Sequence, residues 1–235
     1  SKFLGFQRLK NGKGVQNELE RALKILAGKP ILVHGAGRTD CGVHALDQCI
    51  HFDLDLDISP NKLQYVLNRL LSPYVAIEQI EKVDPCFHAR FNVVSKTYQY
   101  KIYLGKKNPF YMDYAYCYYQ SLDFDLMKQC AQLFLGKHDF HNFVAGKRDS
   151  YDAVITGIDL KKEGDFLIIN ITGPSFYRYM IRHIVGAVLD VGKRSCSIDK
   201  VSLALSSSQK ITCSVVPPQG LYLMRIVYDV LDICK

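Results

Sequence analysis

Asp40 stands two residues after Arg38 in the stretch HGAGRTDCGVHAL (His34–Leu46), where Gly35, Gly37 and Gly42 mark a loop between two apolar segments. Two chemistries suit this arrangement. A turn aspartate can simply accept hydrogen bonds from nearby backbone, whereas an ionised aspartate on a stiff loop beside an arginine can act as a nucleophile. Glycine-rich loops also cradle phosphates, but this spacing fits neither Gly-x-Gly-x-x-Gly nor Gly-x-x-x-x-Gly-Lys. The loop leads into a strand pattern, so no helix N-terminus would face a phosphate, and no nucleotide cofactor is expected. Gly-x-Ser-x-Gly and local cysteine-protease signatures are absent. His34, His44 and His51 lie close in sequence, yet no second cluster with metal-ligand spacing accompanies them, and no metal is expected.

The elements that must position Asp40 follow from periodicity. Val15, Leu19, Ala22, Leu23 and Leu26 recur at helical spacing, closed by Gly28 and Pro30. A short strand over Ile31–His34 precedes the loop, and a second runs through Cys49, Ile50 and Phe52. Ser59 and Pro60 read as N-cap and first-turn proline of a helix carrying Leu63, Val66, Leu67, Leu70 and Leu71. A further strand is expected near Val75–Val83. The order α-β-β-α-β is one strand short of the split βαβ pattern, so a preceding strand upstream of Ser1 is expected.

The second half repeats this order with longer connections. Tyr98, Tyr100, Ile102 and Leu104 alternate as a half-buried strand, and Asp123 caps a helix with Leu126, Met127, Cys130, Ala131, Leu133 and Phe134. Strands near Ala153–Leu160 and Phe166–Thr172 lead to a helix from about Phe176 to Val191. A shorter helix from Ser197 and a strand over Leu221–Val230 complete the set. The chain therefore reads as two α+β halves, 1–94 and 95–235.

With 235 residues, nearly half of them hydrophobic, the chain can bury a sizeable core and is not a disordered protein. No apolar run approaches the roughly 18 residues of a membrane span, and no signal-peptide pattern opens the chain, so the expected address is the cytoplasm. The cysteines are dispersed with no Cys-x-x-Cys pair, which fits reduced, mostly buried thiols. A formal charge of +7 permits a polyanionic partner without requiring one.

The loop resembles the central Gly-Arg-Thr-Asp-x-Gly-Val-His-Ala motif of the TruA family of tRNA pseudouridine synthases. Seven further blocks agree in order: FLGFQR (Phe3–Arg8), VQNELERAL (Val15–Leu23), FHARF (Phe87–Phe91), KTYQYKI (Lys96–Ile102), GKHDF (Gly136–Phe140), FYRYMIRHIVG (Phe176–Gly186) and PPQGLYL (Pro217–Leu223). The resemblance implies an α+β pseudouridine synthase fold: two ferredoxin-like or RRM-like halves whose antiparallel sheets form a central cleft. It implies catalytic roles for Asp40, Tyr98 and Arg182, with Arg182 pairing Asp40 and keeping it ionised. Tyr98 would stack on the target uracil, and Leu221 would pack beneath base and tyrosine. Arg38 would hold the flipped nucleotide and fill the space it vacates.

Arg8 and Arg90, with Lys13, Lys147, Arg148 and Arg178, are candidates for phosphate contacts, which would make binding fall with salt. His44 and His138 also match family positions, although a turn or core hydrogen bond explains each as well. The implied partner is tRNA, modified at positions 38, 39 and 40 of the anticodon stem-loop by a homodimer without cofactor, metal or membrane. Two other readings stay open: the same chemistry on a different RNA, and a catalytically silent RNA-binding protein on the same fold.

Overall fold

The computed structural model describes residues 2–10, 12–206 and 214–229. In chain order the elements are α1 (Val15–Ala27), β1 (His34–Gly35), β2 (His44–Ala45), β3 (Ile50–His51), α2 (Pro60–Leu70), β4 (Val93–Tyr103), β5 (Tyr116–Cys117), α3 (Phe124–Gln132), β6 (Gly136–Asp139), β7 (Asp152–Ile155), β8 (Gly157–Glu163), β9 (Phe166–Gly173), α4 (Met180–Gly192), α5 (Ile198–Ser206) and β10 (Leu221–Tyr228). The chain divides into two compact units. Unit 1 takes the described residues among 1–43, 47–94 and 227–235, and unit 2 takes those among 44–46 and 95–226.

Unit 1 is built on the two helices that the periodicity predicts. Leu19, Ala22 and Leu23 of α1 and Leu63 and Leu67 of α2 join Phe6, Ile31, Val33 and Leu71 in one core. Gly28 ends α1 in the left-handed conformation, φ 70°, which glycine adopts without steric cost. Pro60 opens α2 as expected, but the Ser59 side chain makes no capping bond. The strand expected over Val75–Val83 does not form. Its backbone is held from the side by α2: Gln64 Nε2 donates to the carbonyls of Ile77 and Glu78, Asn68 Nδ2 donates to Ile77, and Asn68 Oδ1 accepts the Ile77 N–H. Val75, Ile77 and Ile80 still pack on the core, so the apolar pattern was correct while the partner was a helix surface. Among the described residues of unit 1, the one ladder pairs His34 with His51 and Gly35 with Ile50.

Unit 2 holds a six-stranded sheet in the order β2-β10-β4-β9-β8, with β5 added to β4. The β4–β9 and β8–β9 ladders are antiparallel, as expected, but β2 joins β10 and β5 joins β4 in parallel, so the sheet is mixed. Neither two-residue parallel strand carries an alternation long enough to be seen in sequence. The strand expected over Ala153–Leu160 is two strands. Thr156 turns the chain from β7, which pairs with β6, into β8, and its N–H and hydroxyl both reach the Thr172 carbonyl.

Asp123 caps α3 as expected, its Oδ1 accepting the Leu126 N–H at 3.1 Å. The helix expected from Phe176 begins at Met180, because Tyr179 lies in the left-handed region at φ 66°. Val230, the expected end of β10, lies outside the described residues. Cys41, Cys49, Cys86, Cys117, Cys130 and Cys196 are free thiols, but of these only Cys130 is buried and Cys41 and Cys86 are exposed, so the expectation of mostly buried thiols does not hold for the described cysteines. No helix among the described residues is long and apolar enough to cross a membrane.

Candidate active site

In unit 1 the Asp40 loop is fixed along its length. The Ala36 N–H donates to the Cys49 carbonyl at 2.9 Å and Gln48 Nε2 to the Gly37 carbonyl at 3.0 Å. The Phe6 N–H reaches the Thr39 carbonyl at 3.1 Å, and Val43 N–H closes a turn onto the Asp40 carbonyl at the same distance. Gly5, at φ 108°, approaches so closely that a β-carbon there would lie 2.6 Å from the Thr39 oxygen. Glycine at residue 5 is thus required by both conformation and space, and it sets the backbone just before Asp40. Asp40 itself is half-buried, and Arg38 is exposed.

The candidate phosphate contacts of unit 1 differ in their surroundings. Arg8 is bonded through Nε and Nη2 to Glu20, whose Oε1 also accepts the Val33 N–H, so it ties its segment to α1. Arg90 is exposed next to Phe91.

Three of the sequence-predicted residues, Tyr98, Arg182 and Leu221, belong to unit 2. Tyr98, on β4, is buried and meets Phe176 edge-on at 5.3 Å between ring centres. Arg182, on α4, is half-buried: Nε donates to the Val216 carbonyl at 2.7 Å, and its guanidinium lies 4.7 Å from the Tyr179 ring. Arg178 approaches the same ring at 4.9 Å, so Tyr179 accommodates two cations. Leu221 opens β10 and is buried. His44 also enters unit 2, stacking on Tyr222 at 4.6 Å while Nε2 contacts the Asp113 carbonyl at 3.0 Å.

Tyr100, expected only as a member of its strand, organises this region. It is fully buried, and its hydroxyl donates to the Pro217 carbonyl at 2.7 Å. Burial pushes its phenol pKa far up, against the opposing influence of Arg182, so it remains a neutral donor. Tyr100 and Arg182 therefore clamp adjacent carbonyls, those of Pro217 and Val216, just upstream of Leu221. Gly220 is needed there because a β-carbon would stand 2.8 Å from the Tyr100 ring and from the Lys101 oxygen.

A second unforeseen grouping is histidine. His34, His51 and His88 of unit 1 each bring a ring nitrogen within 4.8 Å of the others. The short-range spacing suggested His44 as their neighbour instead. Such a trio could hold a transition metal, but the hydrogen bonds oppose it. His51 Nδ1 accepts the Ala89 N–H at 3.1 Å, and His88 Nδ1 accepts those of Arg90 and Phe91 at 3.1 and 3.3 Å. An amide can only donate, so in the neutral rings the proton sits on Nε2 and no lone pair is left for a metal.

Residues 1–92 and 130–229 match the family model of the tRNA pseudouridine synthases. The chain belongs to that family. A tRNA pseudouridine synthase A from Geobacillus sp. (strain WCH70) is 39% identical over 232 residues, covering 97% of this chain and 94% of the relative. Others from Finegoldia magna and Listeria monocytogenes serotype 4a are 38% and 39% identical, each covering 97% of this chain and 95% of the relative. A solved Cbf5-Nop10-Gar1 complex overlaps 74% of this chain and 41% of its own at 15% identity, with a TM-score of 0.36.

As a member of the tRNA pseudouridine synthase family, an isomerase family, this chain carries the Asp40 loop within the matched span. Tyr100 and His88 fall within quoted sequence blocks as well, but their partners at residues 217 and 51 are distant in sequence. Neither role has a local signal.

Proposed function

We propose that this chain isomerises uridine to pseudouridine at positions 38, 39 and 40 of the tRNA anticodon stem-loop, with Asp40 as the nucleophile. The observation that carries the reading is likeness to tRNA pseudouridine synthases across 97% of the chain, with Asp40 and its loop inside the family match. The many backbone bonds along that loop support the role, since a carboxylate that need not be reorganised at the moment of reaction is the more effective catalyst.

The target uridine leaves its stack first. Asp40 then traps the ribose carbon as the bond to N1 breaks, or adds to the uracil ring; a carboxylate serves either route. The base turns, C5 bonds to the ribose, the bond to Asp40 breaks and returns its electron pair to the carboxylate, the C5 hydrogen leaves as a proton, and N1 takes one up, so the product is an isomer and the enzyme is regenerated. Arg182 keeps Asp40 ionised, Tyr98 stacks on the uracil and assists the C5 proton, and Leu221 supports the base from below. Arg38 holds the flipped nucleotide, while Arg90 and, secondarily, Arg8 contact phosphates. The enzyme works in the cytoplasm as a homodimer, each tRNA crossing both subunits, a state that sedimentation with and without tRNA checks.

Tritium release from C5-labelled uridine in unmodified tRNA transcripts tests the reading. The full chain should release tritium from the anticodon arm, and Asp40→Asn should bind tRNA yet form no product. Release by Asp40→Asn would overturn the nucleophile, and no release from any tRNA by the folded wild type would overturn the substrate.

A further inference from the structure

We propose that the exposed ring of Phe91 is a stacking platform for an unpaired tRNA base other than the uridine being isomerised. The inference rests on tRNA as the substrate and extends it to a second contact. Phe91 is 74% exposed, and among the large hydrophobic side chains described only Phe110 is more so. A lone exposed hydrophobe is ordinary on a protein surface. What distinguishes Phe91 is how firmly it is held in that exposed position.

Every backbone N–H from His88 to Asn92 has an acceptor. His88 donates to Asn92 Oδ1 at 2.5 Å, Ala89 to His51 Nδ1, and Arg90 and Phe91 to His88 Nδ1. Phe91 and Asn92 also reach the His88 carbonyl at 3.1 Å, and the Tyr228 hydroxyl donates to the Ala89 carbonyl at 2.7 Å. The ring itself rests on His88, 4.2 Å away and tilted by 29°. His88 meets His51 at 4.5 Å, and His51 stacks on His34 at 4.9 Å. Phe91 is therefore the outer member of a cluster of rings, stacked on His88 while His88 meets His51 edge-on, and presents an aromatic surface that is largely uncovered.

The neighbouring chemistry selects the occupant. Arg90 is exposed, with its guanidinium 5.9 Å from the Phe91 ring centre. One aromatic face beside one cation matches one base and its phosphate, the arrangement by which proteins bind unpaired nucleotides. A protein partner would require a contiguous apolar patch of several hundred Å², more than one phenylalanine ring supplies.

The test places 2-aminopurine at single unpaired positions of a tRNA transcript and follows its fluorescence on binding to the full chain. At one position, wild type and Phe91→Tyr should quench it and Phe91→Leu should not. Phe91→Leu should also bind about 5- to 160-fold more weakly, the range for loss of one base–aromatic stack. Circular dichroism confirms that the variants are folded. Binding and quenching by Phe91→Leu equal to wild type would overturn the platform. So would unchanged quenching together with loss of self-association, which would assign the ring to a second copy of the chain. A wild type that modifies tRNA but quenches no position overturns the platform alone; one that binds no tRNA overturns the substrate reading and the platform with it.

Discussion

In unit 2, β4 and β9 pair continuously from Lys96 opposite Gly173 to Tyr103 opposite Phe166, and β8 extends the same sheet from Gly157 to Glu163. The described part of unit 1 has a ladder of two residue pairs, and side chains fasten much of the rest of its backbone. Gln16 holds the Val33 carbonyl, Gln48 the Gly37 carbonyl, Asn17 both polar groups of Leu9, Asn68 both polar groups of Ile77, and His51 the Ala89 N–H. A ladder is redundant, because each bond is flanked by others like it. A side-chain fastening is singular, and one substitution removes it. The difference teaches that the unit carrying Asp40 fixes its loops by individual contacts, each of which can be broken alone.

The largest effect should come from Gly5→Ala. Its β-carbon would press on the Thr39 oxygen in a left-handed backbone, so we expect a loss of about 1–3 kcal/mol and at least a roughly tenfold fall in tritium release. Gly157→Ala in unit 2 meets nothing closer than 3.7 Å and should change stability by less than about 0.5 kcal/mol. Urea unfolding of both variants decides the matter, and equal effects would break the contrast.

Next in size is Asn68→Ala, which removes both bonds to Ile77 and should cost about 1–2 kcal/mol, with faster hydrogen exchange at Ile77. Gln99→Ala loses one bond to Asn170 beside an intact ladder, and should cost less than about 1 kcal/mol.

Acid should sharpen the comparison further. Burial and the mutual proximity of the histidines lower the pKa of His51 and of His88. The unfolded chain, with histidines near about 6.5, therefore binds more protons than the folded one over the interval below that value. Stability is fully present above it and falls as pH drops through the folded values. The charged groups acting on these rings are His34 and Arg90, which oppose protonation, and Asp53, which favours it at His51. Thermal melts from pH 7.5 to 5 should show the loss, and H51Q/H88Q should flatten it.

The smallest effect belongs to the surface. Arg8→Ala should cost no more than about 1 kcal/mol, because its pair with Glu20 is partly exposed. A larger loss would mean that the Glu20 bond to the Val33 N–H depends on it.

Local features were legible and distant pairings were not. Gly28, Pro60 and Asp123 mark helix ends through their own backbone and side-chain chemistry, and the structure places the ends where the residues do. The Asp40 loop was equally plain because its glycines and arginine are adjacent. The Val75–Val83 segment carries the apolar residues that the core receives, Val75, Ile77 and Ile80, yet whether a strand forms depends on a partner that the segment does not encode. Tyr179 shortens α4 through one backbone angle that hydrophobic spacing does not sense. His88 lies 37 residues from His51, and Tyr100 is 117 residues from the Pro217 carbonyl that it clamps.

The bond from Tyr228 to Ala89 joins residues 139 apart in the chain, and Tyr228 also packs its ring on Phe87 at 5.1 Å. A ribosome adding about 5–20 residues per second would add Tyr228 roughly seven to thirty seconds after Ala89. During that interval all three histidines have been made, but the tyrosine whose hydroxyl binds the Ala89 carbonyl has not. Translation speed over the second half of the message thus sets how long the first unit must wait for this bond, and messages truncated before the Tyr228 codon would yield a unit 1 that lacks it.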